Sequence, residues 1–208
     1  MPRNWLLQNK EHRMSYWTYR VLTHLPPPPQ SLLDKIDFGL TPEVNNTGYL
    51  QKEPLTNWNG YSGPAALNVR ILFNDDYINW LKQHIVEDFE NASLNYVTGP
   101  PAIKTTAPHR DYTRDVVLIY NVDTGGDDVK LQFWQEKGQP VIREPGAACG
   151  RRSDLELLDT ATGPANCWYL TNASILHSTD NMTRQRVNLQ VSFKENHPFV
   201  KQMLEQYK

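Results

Sequence analysis

Residues 186–193 have the sequence RVNLQVSF, in which polar and apolar side chains alternate without a break. Successive side chains of a β-strand point to opposite faces, so one face of this segment is polar and the other is apolar. The polar face carries Arg186, Asn188, Gln190 and Ser192. We expect the apolar face to pack on a hydrophobic core and the polar face to line a pocket. The alternative is an edge strand whose polar face lies in water.

Further short segments of strand character follow the Gly-Pro-Pro at 99–101. They are Val116–Val122, Val129–Trp134, Val141–Arg143 and Asn166–Leu170. Between the first two, the sequence DTGGDD at 123–128 is a strong turn signal and predicts an antiparallel hairpin. Several short strands separated by turns indicate a sandwich or a barrel, so the predicted class is mainly β with flanking helices.

The first half of the chain and its last residues supply supporting elements in this prediction. A strand is predicted over Tyr16–Leu22, the four prolines at 26–29 form a stiff connector, and a short helix follows over Ser31–Phe38. An Asn-Asp pair opens the segment 74–89, whose apolar residues recur at the spacing of an amphipathic helix. A last helix is predicted over Pro198–Tyr207.

The chain shows no internal repeat and no change of composition that would separate two domains. Residues 1–208 are therefore predicted to form a single domain. Its parts are an N-terminal support of strand and helices over 1–95, a motif-bearing β core over 96–195 and a C-terminal helix over 196–208.

The composition excludes several classes of protein. The 208 residues include 21 basic and 23 acidic side chains, a balance too even for a non-specific nucleic-acid binder, so no nucleic-acid partner is indicated. The two cysteines, Cys149 and Cys167, are expected to be reduced thiols. The first residues lack the apolar run of a signal peptide or a membrane anchor, and we expect a cytoplasmic protein with no membrane partner.

The candidate site combines three side chains that bind metals. His109 and Asp111 are two positions apart, so in an extended segment both point to one side. His177 on a neighbouring strand would complete two imidazoles and one carboxylate on one face of an ion. That ligand set leaves positions open and suits non-haem Fe(II) and its oxygen chemistry. The alternative is that all three are ordinary polar surface residues.

An arginine follows the second histidine at the start of the alternating strand. Its planar guanidinium would bind a carboxylate through two parallel hydrogen bonds. Arg186 is preferred for this role because it stands directly before the apolar-alternating run, whereas the competing Arg184 lies in the turn region that follows residue 180.

The order HxD, distal His and following Arg resembles the motif of the Fe(II)- and 2-oxoglutarate-dependent dioxygenases. The matching text is PHRDY at 108–112 and LHSTDNMTRQRVNLQVSF at 176–193. Together with the segment LIYNVDTGGDDVKLQFW at 118–134, it is similar to the prolyl-hydroxylase-like and aspartyl/asparaginyl-hydroxylase-like branches. The resemblance covers about residues 96–195, roughly half of the chain.

The resemblance implies a double-stranded β-helix, that is, a jelly roll of cupin-like form. It implies Fe(II) held by His109, Asp111 and His177 as the catalytic centre, with 2-oxoglutarate as cosubstrate anchored by Arg186 and with ascorbate as a possible reductant. The implied reaction hydroxylates an amino acid or a peptide or protein side chain and releases succinate and CO2. The carboxylate of Asp111 favours hydroxylation over halogenation.

Further residues are predicted to contact the cosubstrate or the substrate. Asn188 and Tyr120 are expected to add hydrogen bonds to 2-oxoglutarate, with ordinary core placement as the alternative for each. Gln132 and Trp134 alternate on one predicted strand and are expected to line the same cavity, although core packing explains Trp134 equally well.

Two irregular segments are predicted to form the substrate cleft. They are the aromatic-rich segment 41–64 and the long loop 135–164. Within the loop, Arg151 and Arg152 are candidates to bind a substrate carboxylate, and a solvated basic pair is the alternative.

Two other classes of protein stay open at this point. One is a jelly-roll module that binds a small ligand without oxygenase activity. The other is a cupin-like isomerase, which would use more histidines near the first motif. The expected partner is a small-molecule or peptide substrate, and the sequence gives no oligomeric state.

Overall fold

The computed structural model describes residues 17–36, 50–54, 67–72, 75–98, 108–111, 114–138 and 152–207, of which 50–54, 67–72 and 96–98 are described as backbone only. The strands are β1 (Tyr19–Leu22), β2 (Leu50–Pro54), β3 (Leu67–Leu72), β4 (Asn91–Thr98), β5 (Val116–Asp123), β6 (Lys130–Glu136), β7 (Leu155–Ala161), β8 (Trp168–Asn172), β9 (Leu176–Asp180) and β10 (Arg186–Phe193). The helices are α1 (Gln30–Leu33), α2 (Asp75–His84) and α3 (Pro198–Gln206), with a short 3-10 turn at Arg152–Asp154.

The strands form two antiparallel sheets. The larger has seven strands in the order β1-β8-β5-β10-β4-β3-β2, and the smaller has three in the order β7-β6-β9. The pairs β2-β3, β3-β4 and β6-β7 join strands that are consecutive in the chain, and the other pairings join strands that are distant in sequence, so long crossings assemble most of the two sheets. The fold is mainly antiparallel β with few helices and is jelly-roll-like, as predicted.

Strand β10 lies inside the larger sheet between β4 and β5, and all eight of its residues are buried. The edge-strand alternative for this segment is therefore wrong. Its apolar face packs in one core cluster with residues of the helices, among them Leu81 of α2 and Val200 of α3. The residues of β10 in this cluster are Val187, Leu189, Val191 and Phe193.

Strand β5 contributes to two different cores, one on each face. Val116, Leu118 and Tyr120 belong to the cluster under the helices. Val117 and Ile119 belong to a second cluster with residues of the smaller sheet. This second cluster packs side chains of the two sheets together, as expected for a sandwich.

The predicted hairpin between β5 and β6 is wrong, because the two strands lie in different sheets. Strand β5 pairs with β8 and β10, and β6 pairs with β7 and β9, so each strand already has a partner on both sides. The turn at 123–128 is present, with Gly125 and Gly126 at positive φ, and it carries the chain from one sheet to the other. A turn signal indicates that the chain reverses, but it does not select side-by-side pairing over face-to-face packing.

Several predicted elements differ in length from the observed ones. Strand β1 begins at Tyr19 within the predicted segment 16–22, and α1 ends at Leu33. Helix α2 ends at His84, although Phe89 beyond it still packs against the core. The segment 141–143 lies outside the described residues.

The predicted loop over 135–164 is wrong in part, because β7 lies within it and β6 extends into its first residues. In β7 four of the five residues between buried Leu155 and buried Ala161 are exposed, so the apolar alternation that marks a strand is weak there. Within the described residues, no helix has both the length and the apolar character needed to cross a membrane. The organisation of residues 1–208 as a single domain stays a prediction.

We expect Gly125→Ala to destabilise the protein more than Gly138→Ala does. Both glycines have positive φ, +86° and +82°, so either substitution has a backbone cost of about 1–2 kcal/mol. A Cβ at Gly125 would also lie 2.9 Å from Cβ of Arg186, whereas one at Gly138 would meet nothing within 4 Å. The free energy of unfolding in urea should therefore fall by at least about 1 kcal/mol more for Gly125→Ala. Equal losses for the two variants would contradict close packing of the turn on Arg186.

Candidate functional site

The two histidines of the motif are held side by side by their own backbones. His109 and His177 form an antiparallel bridge in which each N–H donates to the other residue's carbonyl oxygen, at 2.9 and 2.8 Å. Their ring centroids are 4.4 Å apart. His177 lies on β9, and residues 108–111 extend alongside it without forming a regular strand. The predicted adjacency of the two histidines is confirmed.

Asp111 joins the histidines through a second backbone contact. Its N–H donates to the carbonyl oxygen of Ala173 at 3.0 Å, so residues 109–111 follow the turn between β8 and β9. The Oδ1 atom of Asp111 is 3.8 Å from Nε2 of His109. One potential ligand atom from each of His109, Asp111 and His177 lies within 4.8 Å of the other two. The structure therefore brings together the three residues of the sequence motif.

The backbone holds the ring of His177 in one tautomer. Its Nδ1 is 2.8 Å from the carbonyl oxygen of Ile175, and because a carbonyl only accepts, Nδ1 carries the proton and leaves the Nε2 lone pair available. Burial lowers the pKa of His177, and it does so in spite of the opposing charge of Asp111. The neutral ring is the ligating form of histidine.

Asp111 is held in its ionised form. Burial alone would raise the pKa of this carboxyl, but the adjacent Arg114 guanidinium, with smaller help from the two histidines, lowers it well below its usual range. Nε of Arg114 donates to Oδ2 of Asp111 at 2.6 Å. One carboxylate oxygen is thus engaged by Arg114, and Oδ1 is the oxygen on the side of His109.

Arg114 was not among the residues singled out from the sequence. It is buried, with 8% of its surface exposed, and its Nη1 donates to Oε1 of Gln190 at 2.6 Å. It therefore joins a candidate metal ligand to the polar face of β10. The signal in the sequence was a cation three residues after Asp111 and two residues before a strongly apolar strand, where a buried charge needs a partner.

The three motif residues line a cavity between the sheets. Polar and charged side chains from β4, β8, β9 and β10, with Arg114 from the segment before β5, complete its lining together with an apolar wall. The polar part is Asn95, Arg114, Thr171, Thr179, Arg186, Asn188 and Gln190, and the apolar part is Val117, Ile119, Leu131 and Ala173. The polar face of β10 faces this cavity, as its alternation predicts.

Arg186 lies in the cavity wall with 4% of its surface exposed. Its Nη1 donates to Oγ1 of Thr179 at 2.8 Å, and its Nη2 donates to the Tyr169 hydroxyl at 2.8 Å and to Oδ1 of Asn121 at 3.3 Å. Its Nε is buried and has no acceptor within the described part of the chain. The guanidinium is therefore fixed in place by protein oxygens and keeps an unused donor.

Arg184, the competing anchor, lies on the outside. Its side chain is 54% exposed and pairs with Asp123 at 3.2 Å. The hydrogen bond and charge of Asp123 raise the pKa of Arg184. Between the two arginines, only Arg186 lines the cavity.

The two residues predicted to assist the cosubstrate lie on different sides of the sheet. Asn188 lines the cavity. Tyr120 does not, because it belongs to the helix-side face of β5, where its ring packs 5.1 Å from that of Trp168 in the core. The prediction for Tyr120 is corrected accordingly, and its neighbour Asn121 is the residue of β5 that contacts Arg186.

The predicted substrate residues of β6 and the following loop also lie away from the cavity. The guanidinium of Arg152 stacks 5.1 Å above the ring of Trp134 and hydrogen-bonds to Oε1 of Gln132 at 3.3 Å. Arg152 also forms a two-point ion pair with Asp180, and the indole of Trp134 donates to Ser178 at 3.0 Å.

This cluster of Arg152, Gln132, Trp134, Ser178 and Asp180 ties the end of the 135–154 segment to the smaller sheet. Arg152 is therefore not part of a solvated basic pair, and none of these five residues lines the cavity. Arg151 lies outside the described residues, as do segment 41–64 apart from the backbone of 50–54 and residues 139–151 of the loop. The substrate cleft predicted from those segments stays a prediction.

Comparison with known proteins gives only distant similarity. No protein-family model matches the chain, and no curated protein matches it. Among solved structures, a prolyl-4-hydroxylase of Pseudomonas putida is 14% identical with a TM-score of 0.40, over 71% of this chain and 78% of that one. The ycfD protein of E. coli is 12% identical with a TM-score of 0.44, over 91% of this chain and 54% of that one, so the chain spans about half of its length.

We expect Asp111→Asn to destabilise the metal-free protein by about 2–4 kcal/mol, because it leaves the buried Arg114 charge without a counter-charge. Asp127→Asn is the matched control, since Asp127 is fully exposed and its nearest approach to Arg184 is 3.9 Å. That control should leave the free energy of unfolding unchanged.

The difference in the free energy of unfolding between the wild type and Asp111→Asn should also depend on pH. The pKa of Asp111 is lowered in the folded protein, so its stabilising contribution is present above the ordinary carboxyl pKa of about 4 and is lost as the pH falls below that value. Urea unfolding between pH 7 and pH 3 measures this. A difference that grows towards acid pH would contradict the Asp111–Arg114 ion pair.

Proposed function

We propose that this protein is a non-haem Fe(II)- and 2-oxoglutarate-dependent dioxygenase that hydroxylates an amino acid or a peptide or protein side chain. One observation carries the proposal. Two imidazoles and a carboxylate converge on one wall of a cavity, and the same cavity is lined by a buried arginine whose Nε has no acceptor among the described residues. The two imidazoles and the carboxylate fit a metal ion, and the arginine fits the carboxylate of an organic acid bound beside that ion.

The metal donor set supports Fe(II). Two neutral nitrogens and one carboxylate oxygen on one side of an ion leave the opposite positions open, as non-haem iron oxygenases require. Nε2 of His177, a ring nitrogen of His109 and Oδ1 of Asp111 would hold the ion. The hydrogen bonds from His177 to Ile175 and from Arg114 to Asp111 orient two of these ligands before the ion binds.

The cavity also fits a dicarboxylic acid. Arg186 is fixed by Thr179, Tyr169 and Asn121, so its charge is in place before any ligand enters. A carboxylate bound in the cavity would neutralise the buried charge of Arg186, whose Nε has no acceptor among the described residues. Asn188 lines the same cavity and is proposed to add a hydrogen bond to the ligand.

When bound, iron and 2-oxoglutarate supply the oxidising chemistry, with release of succinate and CO2 and with ascorbate as a possible reductant. The residues of this chain bind and orient them. The apolar side chains Val117, Ile119 and Leu131 exclude water from one side of the cavity. The substrate is proposed to be a small molecule or a peptide, and no nucleic-acid partner is proposed. The alternative is a jelly-roll binding module that takes a small ligand into this cavity without oxygenase activity.

We expect anaerobic protein supplied with Fe(II) and 2-oxoglutarate to develop a weak visible charge-transfer absorption, because the chelate forms only when both are bound. Aerobic succinate release from 2-oxoglutarate then distinguishes an enzyme from a binding module. His177→Ala should abolish both signals, and Arg152→Lys, outside the cavity, should retain both. Well-folded wild-type protein without the absorption would exclude the dioxygenase proposal.

We expect Arg186→Lys to raise the dissociation constant of 2-oxoglutarate roughly tenfold or more, since lysine cannot reproduce the planar set of donors. Arg184→Lys is the matched control, because Arg184 is an exposed arginine close to the same strand. Isothermal titration of the Mn(II)-loaded protein measures both constants. A larger effect at position 184 would move the anchor to that residue.

A further inference from the structure

A line of hydrogen bonds runs from Asp111 into the cavity through three other side chains. Arg114 donates to Oδ2 of Asp111 and to Oε1 of Gln190, each at 2.6 Å. Nε2 of Gln190 then donates to Oδ1 of Asn188 at 2.8 Å. The last three of these side chains are at least nine-tenths buried, and all four line the cavity.

The arginine fixes the direction of this line. A guanidinium only donates, so Gln190 must turn its oxygen towards Arg114. The amide nitrogen of Gln190 is then the group that faces Asn188, which must turn its own oxygen towards Gln190. The N–H groups of Asn188 Nδ2 are left at the end of the line. An amide that could otherwise be placed in either orientation thus acquires one orientation.

Among the described residues, neither of the two register partners of Asn188 uses these N–H groups. Asn95 on β4 and Asn121 on β5 are its partners in register. Oδ1 of Asn95 is buried without a hydrogen-bond donor within the described part of the chain, so Asn188 does not donate to it. Asn121 turns its own Nδ2 to the carbonyl oxygens of Gly163 and Pro164, and its Oδ1 accepts from Arg186. Because Asn188 also lines the cavity, its N–H groups are left to face it.

We propose that Arg114 is a positioning residue with two effects on this site, an inference that rests on the proposed function. It occupies Oδ2 of Asp111, so that the carboxylate offers the metal one oxygen and leaves the other coordination positions for ligands. Through Gln190 it also directs the N–H groups of Asn188 at the cavity, which makes a subsite for an acceptor oxygen of the bound 2-oxo acid.

The substitution Gln190→Glu tests the direction of these hydrogen bonds, because it reverses the bond between residue 190 and Asn188. A carboxylate accepts from Arg114 and also from Asn188, so Asn188 would turn its N–H groups away from the cavity and present its oxygen instead. We expect the dissociation constant of 2-oxoglutarate, measured by titration of the Mn(II)-loaded protein, to rise roughly tenfold or more. The dissociation constant of Mn(II), followed by the electron paramagnetic resonance of the free ion, should stay unchanged.

The same substitution in an Asn188→Leu background separates this effect from simple repulsion by the new charge. If Gln190→Glu acts by turning Asn188, it should weaken 2-oxoglutarate binding in the wild type and have no further effect in the Asn188→Leu background. An equal loss in both backgrounds, or no loss in either, would overturn the inference. Gln190→Met removes the donor to Asn188 without adding charge and takes the place of Gln190→Glu if that variant does not fold.

Arg114→Lys tests the effect on the metal. A single ammonium cannot donate to Asp111 and Gln190 with the same geometry, so we expect the Mn(II) dissociation constant to rise roughly tenfold or more while thermal unfolding shows a folded protein. Arg184→Lys is the control and should change neither constant. Unchanged Mn(II) binding in Arg114→Lys would overturn this part of the inference. Wild-type protein that binds no Mn(II) would instead refute the proposed function on which the inference rests.

Discussion

The fold depends on the burial of both faces of strand β10, which has one apolar and one polar face. The apolar face is covered by α2 and α3 through side chains such as Leu81 and Val200. The polar face cannot be left against an apolar layer, because buried polar groups need partners. Polar residues around the cavity between the sheets supply these partners. Strand β10 therefore contributes one face to the hydrophobic core and requires a polar site against its other face.

The buried charges of this site are tolerated because a counter-charge or a set of hydrogen bonds offsets the desolvation cost of each. Arg114 is paired with Asp111, and Arg186 is surrounded by the oxygens of Thr179, Tyr169 and Asn121. An ion pair removed from water is often no more stabilising than an apolar core of the same volume, but breaking it is expensive. Such pairs are therefore better understood as fixing the positions of charges than as adding stability.

The sequence predicted those features that depend on local geometry. The alternation from Arg186 to Phe193 and the spacing of His109 and Asp111 both hold in the structure. Features that depend on distant pairing were not predictable in the same way. Alternation places Tyr120 and Asn121 on opposite faces of β5 without saying which face meets the cavity, and a turn signal does not say whether β6 pairs with β5 or packs across from it. Arg114 was missed although its partner Asp111 is only three residues away, because its burial depends on a second partner, Gln190, that is distant in sequence.

Unsatisfied polar atoms indicate where a ligand would be stabilising. Nε of Arg186, Oγ1 of Thr171 and Oδ1 of Asn95 are buried without partners among the described residues, and all three side chains line the same cavity. Each such atom costs about 1–3 kcal/mol when it is shielded from water and unpaired. A ligand that offers acceptor oxygens to Arg186 and to the Thr171 hydroxyl removes part of this cost, so part of its binding energy comes from relieving the empty protein. The same atoms should make the ligand-free protein less stable than an equally well packed protein without unpaired buried polar atoms.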